Sequence, residues 1–257
     1  LDYLYELHKR QVDAVIVQDI GLVASCRRLL PDLRLHASTQ MTVHNAEGVI
    51  FCREQGIKRV VLARELSRED ISLIHAQAEG IELEAFVHGA LCYAFSGQCL
   101  FSSMVGGRSG NRGRCAQPCR MAYELYNQDG QRCIDPARQG KHLLSPADLC
   151  LIDYLPELKE AGISSLKIEG RMKRPEYVAV VCRAYRDAID LLDDQSERPA
   201  AEIKAKLLKI FNRTFSTGYF IENKAAFLST RRPNNRGVFI GRIAEQGPDL
   251  TASIKLQ

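Results

Sequence analysis

No apolar run in the 257-residue chain approaches the roughly 18–20 residues that a membrane-spanning helix needs. A signal peptide is also missing, so no membrane partner is expected and a cytoplasmic location is. No methionine opens the chain, which begins Leu1-Asp2-Tyr3-Leu4 inside an amphipathic pattern. The expectation is a fragment whose true N-terminus is missing, with targeting signals left open. No Gly-x-Gly-x-x-Gly turn follows any strand-like segment, which removes the main mark of a dinucleotide-binding sheet. Neither a Ser/His/Asp motif nor a His-Glu-x-x-His zinc motif is present, so two common routes to peptide hydrolysis lack their marks. Charge of one sign is scarce too. The net charge of +4 and pI of about 8.6 are too mild to establish a nucleic-acid partner.

What is present is an ordinary globular balance, with 46% hydrophobic and 26% charged residues. Nine cysteines in a domain of this size do not resemble a small secreted disulfide scaffold. Cys26, Cys52, Cys150 and Cys182 each lie in a helix-like apolar pattern and are expected to be buried thiols.

The chain alternates two periodicities. Strands are predicted at 13–19, 33–39, 59–65, 81–88 and 164–169, separated by helices of about ten residues. Ser67 followed by Asp70 reads as a capping box, and Pro175 opens a long helix to about Leu192. Leu149 to Ala161 reads as helix, and Met121 to Asn127 as a strand or an irregular excursion. Such alternation points to βαβ units and a parallel sheet. The expected fold class is α/β: a partial TIM-like (β/α) barrel over residues 1–192 that lacks its first strands, with a Cys-rich loop at 89–120. A helical connector over 193–236 and the start of a β-rich domain over 237–257 follow.

In a β/α barrel, chemistry sits at the C-terminal strand ends. Those ends carry Gln18 and Asp19; His36, Ser38, Thr39 and Gln40; Arg64 and Glu65; His88; and Glu169 with Arg171. Glu65, His88 and Glu169 are the candidate catalytic groups. His36, Ser38, Gln40, Arg64 and Arg171 are candidates for binding a small carboxylate or a nucleotide. The two arginines are the expected anion clamps, because a guanidinium presents a rigid fork to carboxylate or phosphate. Ion pairs with Glu65 or Glu169 are the competing, purely structural reading.

Cys92, Cys99, Cys115 and Cys119 fall at C-x6-C-x15-C-x3-C directly after a strand. The intervening sequence holds Gly97, Gly106, Gly107, Gly110 and Gly113, backbone flexible enough to let thiolates converge. Four sulfurs suit zinc or an iron–sulfur cluster, and these unequal gaps are unlike the paired x2 spacing of a zinc ribbon. On spacing alone, metal binding, disulfides and buried thiols all remain open. Cys133 is the reserve ligand. Arg108, Arg112, Arg114 and Arg120 lie in the same stretch, with Tyr93 and Phe95 nearby and no acidic residue between 106 and 120. Arginines can hold phosphates while aromatics stack an unstacked base. Alternatively they offset the charge of a thiolate cluster.

Glu84 to Ser102 resembles the signature of the peptidase U32 family at Glu84, Phe86, Gly89, Ala90, Leu91, Cys92, Gly97, Cys99 and Ser102. Phe101 departs from it, standing where an aliphatic residue is usual. His36-Ala-Ser-Thr-Gln40, Val61-Leu-Ala-Arg-Glu65, Asn111-Arg-Gly, Gln117-Pro-Cys-Arg120, Leu166-Lys-Ile-Glu-Gly-Arg171 and Arg232-Pro-Asn-Asn-Arg-Gly237 are similar to further family motifs. The resemblance implies that Cys92, Cys99, Cys115 and Cys119 bind an iron–sulfur cluster of the 4Fe-4S type, with zinc as the alternative. It also implies oxygen-independent, prephenate-linked hydroxylation of a pyrimidine in ribosomal RNA or tRNA. The 232–237 run looks more like the ribosomal-RNA type. An electron donor or a cluster-assembly protein is an implied partner. The family's name carries the alternative of a collagenase-like peptidase.

Overall fold

The computed structural model describes residues 1–194, 200–221, 227–246 and 252–256. From Leu1 to Ala90 the chain alternates α1 (Asp2–Lys9), β1 (Val15–Val17), α2 (Ile20–Leu29), β2 (Leu35–Ala37), α3 (Ala46–Glu54), β3 (Arg59–Val61), α4 (Arg68–Gln77) and β4 (Glu82–Ala90). Side chains set the boundaries. Asp19 accepts from the Leu22 N–H at 2.6 Å, and Asn45 accepts from the Gly48 N–H at 2.9 Å. At α4 the Ser67–Asp70 capping box is complete in both directions, which satisfies two otherwise unpaired N–H groups. Beyond β4 come α5 (Phe101–Gly106), α6 (Pro136–Gln139), β5 (Asp148–Cys150), α7 (Leu155–Glu160), β6 (Ile163–Ile168), α8 (Pro175–Asp194), α9 (Ala200–Lys209), β7 (Phe215–Ser216), β8 (Gly241–Gln246) and β9 (Ala252–Leu256).

β1, β2, β3 and β4 pair in parallel in that order, and β6 runs parallel on the far side of β4. Alternation along the strands sends Leu35, Ala37, Val60, Leu83, Ala85 and Val87 into the core. The row Ile16–His36–Arg59–Glu82 crosses the sheet on its other, less buried face. There Arg59 bonds Glu82, Glu84 and Ser165, and Lys167 donates to Glu84 at 2.7 Å. The fold is mixed α/β with a mainly parallel sheet. Among the described residues the sheet does not close on itself, since β1 pairs only with β2 and β6 only with β4.

The end of β4 belongs to a second pairing. His88–Ala90 runs antiparallel to β5, and β5 pairs in parallel with β7. The helix expected over 149–161 is therefore shorter. Asp148–Cys150 is wholly buried strand, a 3-10 turn covers Ile152–Tyr154, and only Leu155–Glu160 is α-helical. An unbroken apolar run reads the same in a buried strand and in a buried helix, and here the ladder to β4 decides. Met121 to Asn127 is irregular, with an isolated bridge from Tyr126 to Arg132. Cys182 is a further correction: Cys26, Cys52 and Cys150 are buried, but Cys182 is exposed. The buried stripe of α8 runs through Tyr177, Val181, Ala184 and Tyr185, and Cys182 falls beside it. α9 and the segment after it join the main core through Ile203, Leu207 and Phe220. β8 and β9 form a separate antiparallel pair. No described helix is long and apolar enough to cross a membrane.

Candidate functional site

β4 delivers Ala90, Leu91 and Cys92 to the rim of a cavity of about 590 Å³. The loop that follows is fixed from several directions. Ser96 adopts a left-handed backbone (φ 40°), and Glu65 holds it there: the Ser96 N–H donates at 2.7 Å and its hydroxyl at 2.6 Å. Gln98 donates to the Gln40 carbonyl at 2.7 Å, and Gln40 donates to Asn111 at 2.8 Å. Ser102, on α5, accepts from the Ala116 N–H at 2.9 Å. Cys92, Cys99, Cys115 and Cys119 consequently line the same cavity, all half-buried and none in a disulfide. Burial pushes the Cys119 thiol up, Arg120 opposes this, and the charges of Cys92, Cys115 and Cys99 add to it. Among the described residues, no three His, Cys, Asp or Glu side chains are placed to hold a metal ion. Cys133 lies elsewhere: it is exposed, and its thiol donates to the Gln131 carbonyl.

The cavity wall is strongly cationic. Arg64, Arg120, Lys167, Arg171, Lys173 and Arg213 line it against a single carboxylate, Glu169. They fall into two sets. Arg120 donates to the Ser145 hydroxyl at 3.0 Å and to the carbonyls of Pro146 and Leu91 at 2.6 and 3.1 Å. Arg213 is paired with buried Asp148, and Lys167 with Glu84. By contrast, Arg64 has a buried Nε without a partner and stacks 4.3 Å over the Phe86 ring. Burial lowers its pKa, while Cys92, Glu169 and Glu65 act the other way. Among the described residues, the charged ends of Arg171 and Lys173 have no hydrogen-bond or ion-pair partner in the protein. Lys173 sits over the Phe211 ring, and burial pulls its pKa to about 8.

The strand-end candidates separate accordingly. Ser38, Thr39, Gln40, Arg64, Glu169 and Arg171 line the cavity, whereas His36, Glu65 and His88 do not. Glu65 is engaged with Ser96, as described. His36 stands next to Arg59 on the sheet, where burial and that guanidinium lower its pKa. His88 is 1% exposed, ringed by Tyr177, Tyr185 and Phe215, and burial lowers its pKa to about 4. Gln18 and Asp19 are also outside the lining, Asp19 being the α2 cap. Of the loop arginines, Arg108, Arg112 and Arg114 are exposed. Arg120, expected with them as an RNA contact, is only 8% exposed and lines the cavity wall. Lys167, Lys173 and Arg213 are lining residues that sequence reasoning missed. Lys167, on β6, stands two residues before Glu169 and so falls on the same side, a signal that was readable.

A family model, Peptidase family U32, matches residues 1–229. The chain is 41% identical over 225 residues to the tRNA hydroxylation protein P1 of Bacillus subtilis (strain 168), covering 85% of this chain and 53% of that one. It is 36% identical over 252 residues to the 23S rRNA 5-hydroxycytidine synthase of Escherichia coli (strain K12), covering 95% and 37%. It is 34% identical over 225 residues to a protein named Collagenase from Porphyromonas gingivalis, covering 83% and 53%. The chain thus spans about half the length or less of these relatives.

Proposed function

Because the chain belongs to the U32 peptidase family, we propose that it is the core of a cytoplasmic enzyme that hydroxylates an RNA pyrimidine without oxygen. Cys92, Cys99, Cys115 and Cys119 would hold an iron–sulfur cluster. The donor set supports this: four free thiols line one cavity. A 4Fe-4S cluster takes four thiolates, each on a different iron, and four sulfurs would suit zinc as well. When bound, the cluster would supply electron transfer or a Lewis-acidic iron beside the cavity. We also read the parallel strands as an arc of a β/α barrel, since the lining residues come from the C-terminal ends of β2, β3, β4 and β6.

The observation that carries the reading is a set of cavity cations whose charged ends have no hydrogen-bond or ion-pair partner among the described residues. Arg64, Arg171 and Lys173 face the cavity beside the four thiols. Arg64 and Lys173 are half-buried and burial lowers the pKa of both, so an anionic ligand in the cavity would offset the cost of keeping them charged there, with exposed Arg171 at its edge. A small dicarboxylate such as prephenate fits this need, with Arg64 and Arg171 as forks and Lys173 as a point charge. Glu169, the only lining carboxylate among the described residues, is a group available to accept a proton. Tyr93 and Phe101, exposed at the rim, offer faces for an unstacked base, and Arg108, Arg112 and Arg114 offer phosphate contacts. An electron donor or a cluster-assembly protein completes the proposed partners.

Nucleoside analysis of ribosomal RNA and tRNA from a deletion strain tests this. Loss of one 5-hydroxypyrimidine, restored by the intact gene but not by Arg64→Gln, is the expected result. Retention of every such nucleoside would sink the proposal. For the peptidase alternative, no histidine among the described residues lines the cavity to act as a base for a nucleophile.

A further inference from the structure

The Arg232-Pro-Asn-Asn-Arg-Gly237 run has no part in the chemistry proposed above, yet it grips the turn that carries Arg213. Asn235 Oδ1 accepts from the Asn212 N–H at 3.0 Å, and the Arg236 N–H donates to the Asn212 carbonyl at 2.8 Å. The Pro233 carbonyl accepts from Arg213 Nε at 2.7 Å. From the opposite side, the Asp148 carboxylate on β5 accepts from the Arg213 N–H and from Nη1, both at 3.1 Å. Arg213 is 7% exposed and Asp148 2%, so this pair is held inside the protein with its partners satisfied. The remaining nitrogen, Nη2, donates to Gln117 Oε1 at 3.2 Å. Gln117 stands between Cys115 and Cys119. Its backbone is left-handed (φ 58°, ψ 50°), and its N–H donates to Cys115 Sγ at 3.3 Å. A non-glycine residue keeps that conformation only where its surroundings enforce it.

We propose that Arg213 is a positioning residue for the turn bearing Cys115 and Cys119. It acts through Gln117, and the 232–236 segment holds it from outside the cavity. The consequence for a cluster rests on reading the four cysteines as one ligand set; the positioning itself does not. The arrangement gives the second pair of cysteines a hold of its own, in addition to the Ala116–Ser102 and Arg120–Leu91 bonds. Cys92 and Cys99 follow β4 and the Glu65–Ser96 contact, whereas the turn of Cys115 and Cys119 is also reached, through Arg213, by a segment more than a hundred residues further on.

Alkylation of the reduced, metal-free protein by iodoacetamide, resolved by cysteine, tests this. Gln117→Leu removes the acceptor and leaves the Arg213–Asp148 pair intact. Asn235→Ala loosens the Arg213 turn without touching the cysteine turn, so misfolding of the first variant does not remove the test. In both, Cys115 and Cys119 should react about tenfold faster while Cys92 and Cys99 stay within about twofold of wild type. Gln117→Glu, which keeps an acceptor for Arg213, should react like wild type. Unchanged rates at Cys115 and Cys119, or an equal rise at all four cysteines, would overturn the proposal. Iron and sulfide content after anaerobic reconstitution gives the second arm: lowered in Gln117→Leu and restored in Gln117→Glu. A wild-type protein that takes up no iron would defeat the cluster reading, and the alkylation pattern would still decide the positioning role.

Discussion

Arg120 and His88 are polar groups drawn into the protein near the cavity, and they resolve the cost of burial in opposite ways. Arg120 keeps its charge because three oxygens receive it, although burial still lowers its pKa to about 10. One of those oxygens is the Leu91 carbonyl, next to Cys92, while Arg120 itself follows Cys119. Arg120→Met would leave these buried acceptors unpaired, at a cost of about 3 kcal/mol in urea unfolding, with the cavity side of β4 loosened. A loss below about 1 kcal/mol would show that water replaces the guanidinium there. His88 instead gives up its charge. Its folded pKa of about 4 lies below the ordinary 6.5, so the unfolded chain binds more protons between these values. Stability from this group is complete above pH 6.5 and is lost as pH falls toward 4. Between pH 7.5 and 5 the wild type should lose about 2 kcal/mol more than His88→Gln, as read from urea midpoints. Parallel pH profiles for the two proteins would contradict a neutral His88.

At the scale of elements, Gly89 shows how the strands shape the site. It sits at φ 104°, and a Cβ there would stand 2.3 Å from the Glu169 carbonyl oxygen. The end of β4 can therefore approach the end of β6 only without a side chain. Gly89→Ala should cost about 3 kcal/mol or more and should push Glu169 and Arg171 away from the cavity. Near-wild-type stability would show that the two strand ends yield at no cost. The parallel strands were legible because each is a short apolar run between amphipathic helices, and Ser67 with Asp70 marked α4 in plain view. β5 was not legible, because Asp148-Leu-Cys150 continues into an apolar stretch of helical length. Its strand character depends on β4 lying alongside. β7 is two residues long, below any periodicity. The cysteines were readable from spacing and glycine content, and Arg64, Glu169 and Arg171 from their place after strands. Lys173 and Arg213 follow no strand pattern; only tertiary packing brings them to the wall.

For the molecule as a whole, the cations sort by depth into three tiers. Arg120 and Arg213 are buried and paired, Arg64 and Lys173 are half-buried and face the cavity, and Arg108, Arg112 and Arg114 are exposed outside it. The outer tier stands beside α5, where Met104 and Val105 are 81% and 73% exposed. Among the described residues, only the Arg108 side chain of the three has a hydrogen bond, from Nε to the Arg114 carbonyl. A modest net charge of +4 hides this concentration. If these three arginines meet phosphates, each contact releases counterions from the RNA, and affinity falls with salt in proportion to their number. Replacing all three by alanine should lower the slope of log affinity against log salt by about 2 for a single-stranded segment. Filter binding of the full chain to RNA lacking the modification measures this between low and physiological salt. Parallel slopes would show that these three arginines make no phosphate contacts.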